Sequence, residues 1–184
     1  MSDIFNQPIK NIEQAKKYFH AMGCSHFHMM REYPWRYEEY KKLNISKEQE
    51  IIWRTEKVDE YYSHIIEERK DIELWVAHSH MADLVNVLKT DAALDKMLKV
   101  SQYIHDKVPR KDRVIVAETI IGRTFLPYRN GLIYLAYDLK NILIAQEFVN
   151  LALHFGRIDQ ESRDIARCHK AIKRCNEIKQ ELGL

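Results

Sequence analysis

The side chains best suited to chemistry in this chain are its nine histidines, four of which form two His-x-His pairs. His26 and His28 make the first pair, and His78 and His80 make the second. Imidazole nitrogens are natural ligands of zinc and similar ions. On an α-helix, residues i and i+2 point about 200° apart, so the two members of a pair cannot share one ion.

A metal site would therefore need histidines from different helices. One member of each pair could meet an ion with a third histidine from elsewhere, as in helical bundles that hold a metal between facing helices. The candidate ligands for zinc or nickel are His26, His28, His64, His78, His80 and His154. This pattern would make the chain a metal-dependent enzyme. The favoured alternative is that these histidines are hydrogen-bonded or exposed and that the chain has no cofactor.

A segment rich in aromatic and basic residues, residues 31–42, is the best candidate for a binding surface. Trp, Tyr and Arg are enriched at protein interfaces, and the same mixture can stack on bases and hold phosphates. The predicted partner-binding residues are Trp35, Arg36, Tyr37 and Tyr40. The alternative is that some of these aromatic side chains anchor a short helix onto the core.

Other common chemistries find little support. Cys24 lies close to two histidines, but no serine-hydrolase or cysteine-protease signature surrounds it, so no catalytic residue is predicted. The five glycines are not clustered, which excludes the glycine-rich phosphate loops of P-loop and Rossmann proteins.

Charge gives no strong general attraction to nucleic acid or to an anionic membrane, because 29 basic residues face 27 acidic ones. A basic stripe on the last predicted helix is diluted by acidic neighbours and is interpreted as a solvated face. Its members are Arg163, Arg167, Lys170 and Arg174. The leading hypothesis is thus a non-enzymatic protein that acts through protein–protein contact. A metal-dependent enzyme comes second and a nucleic-acid-binding protein third.

The elements that must position these residues are predicted to be helices. Ile51, Thr55, Val58, Tyr62 and Ile65 step by three or four residues, which places them on one helical face. The segment 114–121 has β-branched residues that would suit a strand, but an isolated strand would leave its backbone unpaired. Its apolar spacing suits a helix equally well, so a helix is predicted there.

Helix ends are predicted from capping residues. Asn11 begins a first helix that Gly23 ends, and Pro34 separates two short helices. Ser46 and Gln49 form a capping box for a long helix. The remaining predicted boundaries are an end near Arg69, a start at Asp71, a turn at Pro127 and Asn130-Gly131, one continuous helix to Phe155, and a last helix capped by Asp159.

The whole chain of 184 residues is predicted to be one all-α domain, a bundle or irregular array of about eight amphipathic helices, with residues 1–10 as a loose segment. Cys24, Cys168 and Cys175 are expected to be buried free thiols in a reducing compartment. Without a signal peptide or a membrane span, the chain is predicted to be cytoplasmic. A homo-oligomer is compatible with the sequence.

Overall fold

The computed structural model describes residues 3–68, 72–122, 131–162 and 164–184. These residues form ten α-helices and no β-strand, which confirms the all-α prediction. The helices are α1 (Ile12–Ala21), α2 (His26–Glu32), α3 (Pro34–Lys42), α4 (Lys47–Tyr62), α5 (Leu74–Leu88), α6 (Asp91–Tyr103), α7 (Arg113–Ile121), α8 (Leu132–Asp138), α9 (Ile142–Phe155) and α10 (Ile165–Leu182).

The chain divides into two compact units, Met1–Asp59 and Glu60–Leu184. The first unit contains α1 to α3 and most of α4, and the second contains α5 to α10. That the chain is a single domain stays a prediction. None of the helices in the described ranges is long and apolar enough to cross a membrane.

Several predicted helix boundaries are confirmed by the hydrogen bonds of their caps. The Asn11 side chain accepts from the Gln14 amide at 2.9 Å, and the Ser46 hydroxyl accepts from the Gln49 amide at 3.1 Å. Pro34 begins α3, where its missing N–H costs nothing. After α4, a π-helical turn at Ser63–Glu67 follows.

The core of the first unit is largely aromatic and sulfur-containing. Its buried side chains include Tyr18, Phe19, Met29, Tyr40 and Trp53. Phe19 lies at the centre, with ring centroids 5.8 Å from Tyr40 and 5.9 Å from Trp53. This packing joins α1, α3 and α4 within the unit.

The structure differs from the expectation of a loose N-terminal segment at three of its residues. The Phe5 ring stacks on Tyr33 at a centroid distance of 4.8 Å. The carbonyl oxygens of Phe5 and Asn6 accept hydrogen bonds from Arg36, and Ile9 is buried. Aromatic stacking and charge-assisted hydrogen bonds hold these residues against the rest of the unit.

The segment from Gly131 to Phe155 was expected to be one helix, and this prediction is wrong. It forms α8 and α9, separated by Leu139, Lys140 and Asn141. Lys140 adopts the left-handed conformation with φ +61°, and the Asn141 side chain accepts from the Ile144 amide at 3.4 Å. A new N-cap therefore starts α9 without any glycine or proline at the break.

The cap of the last helix was also assigned wrongly. Asp164 caps α10 by accepting from the Arg167 amide at 3.0 Å. Asp159 instead stabilises its own turn, accepting from the Glu161 amide at 3.0 Å. The predictions at Arg69, Asp71, Pro127, Asn130 and Arg163 lie outside the described residues.

The second unit is built around α7, which packs against α5, α8, α9 and α10. Its buried residues include Val114, Ala117 and Ile120, which confirms a helix rather than a strand at 114–121. On α10, Cys168 and Cys175 are buried and free, as is Cys24 in the first unit. The prediction of buried free thiols is confirmed.

The α8–α9 corner allows a test of backbone strain. We expect Lys140→Gly to raise the free energy of unfolding by about 0.5–1 kcal/mol. The left-handed conformation costs a non-glycine residue about 1–2 kcal/mol, and the greater freedom of unfolded glycine offsets part of that gain. Urea unfolding measures the change.

Lys173→Gly is the matched control, because Lys173 is exposed within the regular helix α10. Glycine there should lower the free energy of unfolding by about 1 kcal/mol. Changes of the same sign in the two variants would contradict this account of the corner.

Candidate functional site

The four predicted partner-binding residues share the short helix α3 but lie in different environments. Trp35 is 59% exposed, and Tyr40 is only 2% exposed. Arg36 and Tyr37 are half-buried. Trp35 is thus the one of the four that offers most of its side chain to a partner. The partner-binding role of the set stays a prediction.

Arg36 links α3 to the N-terminal segment. Its Nη1 donates to both carboxylate oxygens of Glu39 at 3.0 and 2.9 Å. Its Nη2 donates to the Asn6 carbonyl at 2.7 Å, and its Nε donates to the Phe5 carbonyl at 3.3 Å. Glu39 also accepts from the Ile9 amide at 2.9 Å, which is the main reason why its pKa is lowered. The Arg36 guanidinium therefore holds the backbone of the N-terminal segment against α3.

Tyr40 belongs to a buried network centred on Glu50, which is 8% exposed. The Tyr40 hydroxyl donates to Glu50 Oε1 at 2.9 Å, and His26 Nε2 lies 2.8 and 2.9 Å from the two carboxylate oxygens. Arg54 donates to Glu50 Oε2 from both terminal nitrogens at 3.2 Å. One carboxylate thereby holds α2, α3 and α4 together.

The electrostatics of this network favour an ionised Glu50. Burial by itself would raise the pKa of Glu50, but the hydrogen bonds from His26 and Tyr40 and the charges of His26 and Arg54 outweigh it and lower the pKa. Burial and the hydrogen bond to Glu50 both raise the pKa of Tyr40. An ionised carboxylate can only accept, so the Tyr40 hydroxyl and His26 Nε2 must both carry protons toward it.

Tyr37 extends the network toward the surface. Its hydroxyl lies 3.2 Å from Nδ1 of His26. Tyr37, His26 and Glu50 thus form a chain of hydrogen bonds from the half-exposed edge of α3 to the buried carboxylate.

The six histidines predicted as alternative metal ligands are divided between the two units. His26 and His28 belong to the first unit, and the other four belong to the second. On α5, His78 is completely buried and His80 is exposed, with His80 Nδ1 3.3 Å from the Tyr61 hydroxyl. The two members of this His-x-His pair point apart, as helix geometry requires.

His154 does lie beside other side chains of metal-ligating type, His105 and Asp106, but neither was among the predicted ligands. The ring centroids of His154 and His105 lie 3.4 Å apart, and Asp106 Oδ1 is 3.0 Å from His105 Nδ1 and 4.0 Å from His154 Nε2. The only sequence signal was the adjacent His105-Asp106 pair after a helix end. His154 is far from this pair in sequence, so no local motif joins the three residues.

The surroundings of His154 and Asp106 favour the protonation states in which these two side chains can bind a metal. The pKa of His154 is lowered by burial and by the positive charges of His105 and Arg113. The pKa of Asp106 is lowered chiefly by its hydrogen bond with His105. A neutral imidazole and an ionised carboxylate are the forms that coordinate metal ions.

A cleft of about 270 Å³ lies between α5, α7 and α10. Two of its charged side chains, Glu118 and Arg167, are paired with each other through two hydrogen bonds. The hydroxyls of Ser79 and Thr119, also in its wall, lie 3.1 Å apart. The cleft is smaller than the usual small-molecule site, and these polar groups are already hydrogen-bonded to one another. It is therefore a weak candidate for a ligand site.

Comparison of the chain with protein-family models, with curated proteins and with solved structures found no match.

His78 generates a prediction about acid stability. The Ser101 hydroxyl donates to the Met97 carbonyl at 2.8 Å, so it accepts from His78 Nε2 at 2.9 Å. The Nδ1 atom of His78 is buried without a hydrogen-bond partner, and burial lowers the pKa of His78 to about 3. The folded state therefore keeps this ring neutral while the unfolded chain takes up a proton near pH 6.5.

The folded protein therefore keeps its full unfolding free energy above about pH 6.5, the pKa of His78 in the unfolded chain. It loses part of that free energy as the pH falls toward about 3, the pKa of His78 in the folded state. Between pH 7.5 and pH 5, we expect the neutral His78 to cost the protein about 2 kcal/mol of unfolding free energy. His78→Gln keeps the donor to Ser101 and should remove that part of the pH dependence. His169→Gln, at an exposed position, is the control. Equal pH slopes for His78→Gln and the wild type would contradict the assignment.

Proposed function

We propose that this protein is not an enzyme and that it acts through protein–protein contact, with Trp35 as the anchor of the contact surface. The observation that carries the proposal is the distribution of exposed large apolar side chains among the described residues. Six of the ten lie in the first unit, although that unit contains only residues 1–59. These six are Ile12, Phe27, Met30, Trp35, Ile51 and Ile52.

The Trp35 ring packs against an aromatic side chain of the first unit. Its ring makes an edge contact with Tyr33 at a centroid distance of 5.8 Å, and Tyr33 is stacked on Phe5 with an interplanar angle of 6°. The next residue, Arg36, is fixed by the hydrogen bonds described above. An aromatic side chain that is already ordered loses little entropy on binding, which is typical of interface hot spots.

The charges around Trp35 are largely neutralised within the first unit. Arg31 pairs with Glu32 at 2.8 Å, and Lys41 pairs with Glu38 at 2.6 Å. A surface of this kind gains little from long-range attraction to phosphates. Its affinity should depend on apolar contact and respond weakly to salt, which separates this proposal from nucleic-acid binding.

The partner that fits is a protein with an apolar pocket able to accept an indole ring. Sedimentation of the purified protein tests whether that partner is a second copy of this chain or a different protein. The three buried free thiols support a reducing compartment, so the proposal places this contact in the cytoplasm.

The proposal predicts that Trp35→Ala weakens partner capture at least tenfold while the free energy of unfolding changes by less than about 0.5 kcal/mol. Truncation of an interface hot spot costs about 2 kcal/mol or more of binding energy, whereas exposed substitutions rarely affect folding. The measurement is quantitative capture of partners from an extract of the source cells by the immobilised chain, at about 0.1 and 0.5 M salt.

Val87→Ala is the matched control, because Val87 is also 59% exposed but lies in the second unit. It should capture the same partner with unchanged yield. Equal capture by Trp35→Ala and the wild type would overturn the proposal. So would a yield that falls steeply with salt, which is the behaviour of a nucleic-acid-binding protein.

A further inference from the structure

Three side chains in the second unit, outside the surface proposed above, share an arrangement suited to a metal ion. His105 and Asp106 follow the C-terminus of α6, and His154 is the penultimate residue of α9. Each offers one ligand atom, and these three atoms all lie within 4.8 Å of one another. The packing of α6 against α9 within this unit brings them together.

The distances are close to those of a coordination sphere. Two imidazole nitrogens bound to one tetrahedral ion at about 2.05 Å would be about 3.3 Å apart. Asp106 Oδ1 already lies 3.0 Å from His105 Nδ1 and 4.0 Å from His154 Nε2, which brackets that value. Asp106 is 79% exposed, and the two rings are partly exposed at the same surface.

One atom of the cluster lacks a protein partner. His154 Nε2 is buried and makes no hydrogen bond. The nearest carboxylate oxygen, Asp106 Oδ1, is 4.0 Å away, too far for a hydrogen bond. An unsatisfied buried nitrogen costs about 1–3 kcal/mol, and an ion between His154 and Asp106 would recover that cost.

The donor set selects the class of ion. Two imidazoles and one carboxylate suit Zn²⁺ and neighbouring transition metals, whereas Ca²⁺ and Mg²⁺ prefer six or more oxygen ligands. Lys107 does not oppose a cation directly, because its ammonium donates to the Tyr103 carbonyl at 2.8 Å and lies over the Tyr103 ring. Arg113 does add positive charge near His154. The site should therefore bind its ion with moderate affinity.

We propose that His105, Asp106 and His154 form a solvent-open binding site for Zn²⁺ or a similar divalent transition metal ion. The two rings, now stacked at an angle of 23°, rotate until one nitrogen of each faces the ion. The exposed carboxylate of Asp106 supplies the third ligand. Water completes the coordination, as in metal sites that keep an open position rather than in closed structural sites.

The test is calorimetric titration of untagged protein with zinc chloride. We expect one equivalent of zinc to bind with a dissociation constant in the micromolar range. Zinc should also raise the melting temperature, because a ligand of the folded state stabilises it. Calcium and magnesium at the same concentration should do neither. No zinc binding at 100-fold excess over the protein would overturn the proposal.

Variants assign the ligands. His105→Ala and His154→Ala should each weaken zinc binding at least tenfold, and Asp106→Asn should do the same if the carboxylate is a ligand. His169→Ala, a variant of an exposed histidine on α10, should bind zinc like the wild type. Circular dichroism checks that each variant folds. Undiminished binding by both histidine variants would place the metal elsewhere, and undiminished binding by Asp106→Asn would overturn the three-ligand assignment.

Discussion

The packing of α2, α3 and α4 in the first unit depends on the hydrogen bonds of one buried carboxylate, that of Glu50. This carboxylate accepts from Tyr40 on α3, His26 on α2 and Arg54 on its own helix, α4. Arg54 in turn donates to the Cys24 carbonyl at 3.4 Å and lies over the Phe19 ring. A buried charge is tolerated only when its hydrogen-bonding capacity is filled, and removing one partner leaves the others uncompensated. The helices α2, α3 and α4 are thereby fixed relative to one another.

Because α3 is fixed by these contacts, its four predicted binding residues fall into two groups: three that bond within the unit and one that is exposed. In α3, Arg36 and Tyr40 make contacts within the unit, and the Tyr37 hydroxyl is hydrogen-bonded to His26. Trp35 is left to face solvent. The polar contacts of its neighbours keep α3 in place, so the exposed indole projects from a helix that is fixed within the unit. The mixed aromatic and basic composition of the segment therefore combines side chains that hold α3 in the unit with one exposed aromatic side chain.

Local chemistry explains which parts of the fold could be predicted. Caps such as Asn11 and Ser46 act within four residues, and proline at 34 acts on its own helix, so the sequence alone reveals these boundaries. The break between α8 and α9 was missed although Asn141 is a good cap, because the apolar pattern runs on across it and Lys140 adopts a left-handed conformation that its residue type does not favour. Asp159 and Asp164 are both good caps, and only the geometry of the turn decides between them.

The candidate sites were harder to predict because they depend on contacts between distant residues. His26 meets Glu50 across 24 positions, and Arg36 meets Phe5 across 31. His105 and His154 come together only because α6 packs on α9. Residue type and spacing identified Trp35, Tyr37 and His154 as unusual. They could not show that Tyr40 would be buried, or that His154 would find His105 rather than His78.

The most direct test of this account is the free energy of unfolding of Glu50→Gln beside that of Glu48→Gln, an exposed neighbour on α4. Removing the charge from a buried ion-pair network costs about 3 kcal/mol or more, whereas removing an exposed carboxylate in the first turn of a helix should cost far less. The account predicts this difference between the two variants. Equal stabilities would mean that the carboxylate of Glu50 does not hold the first unit together.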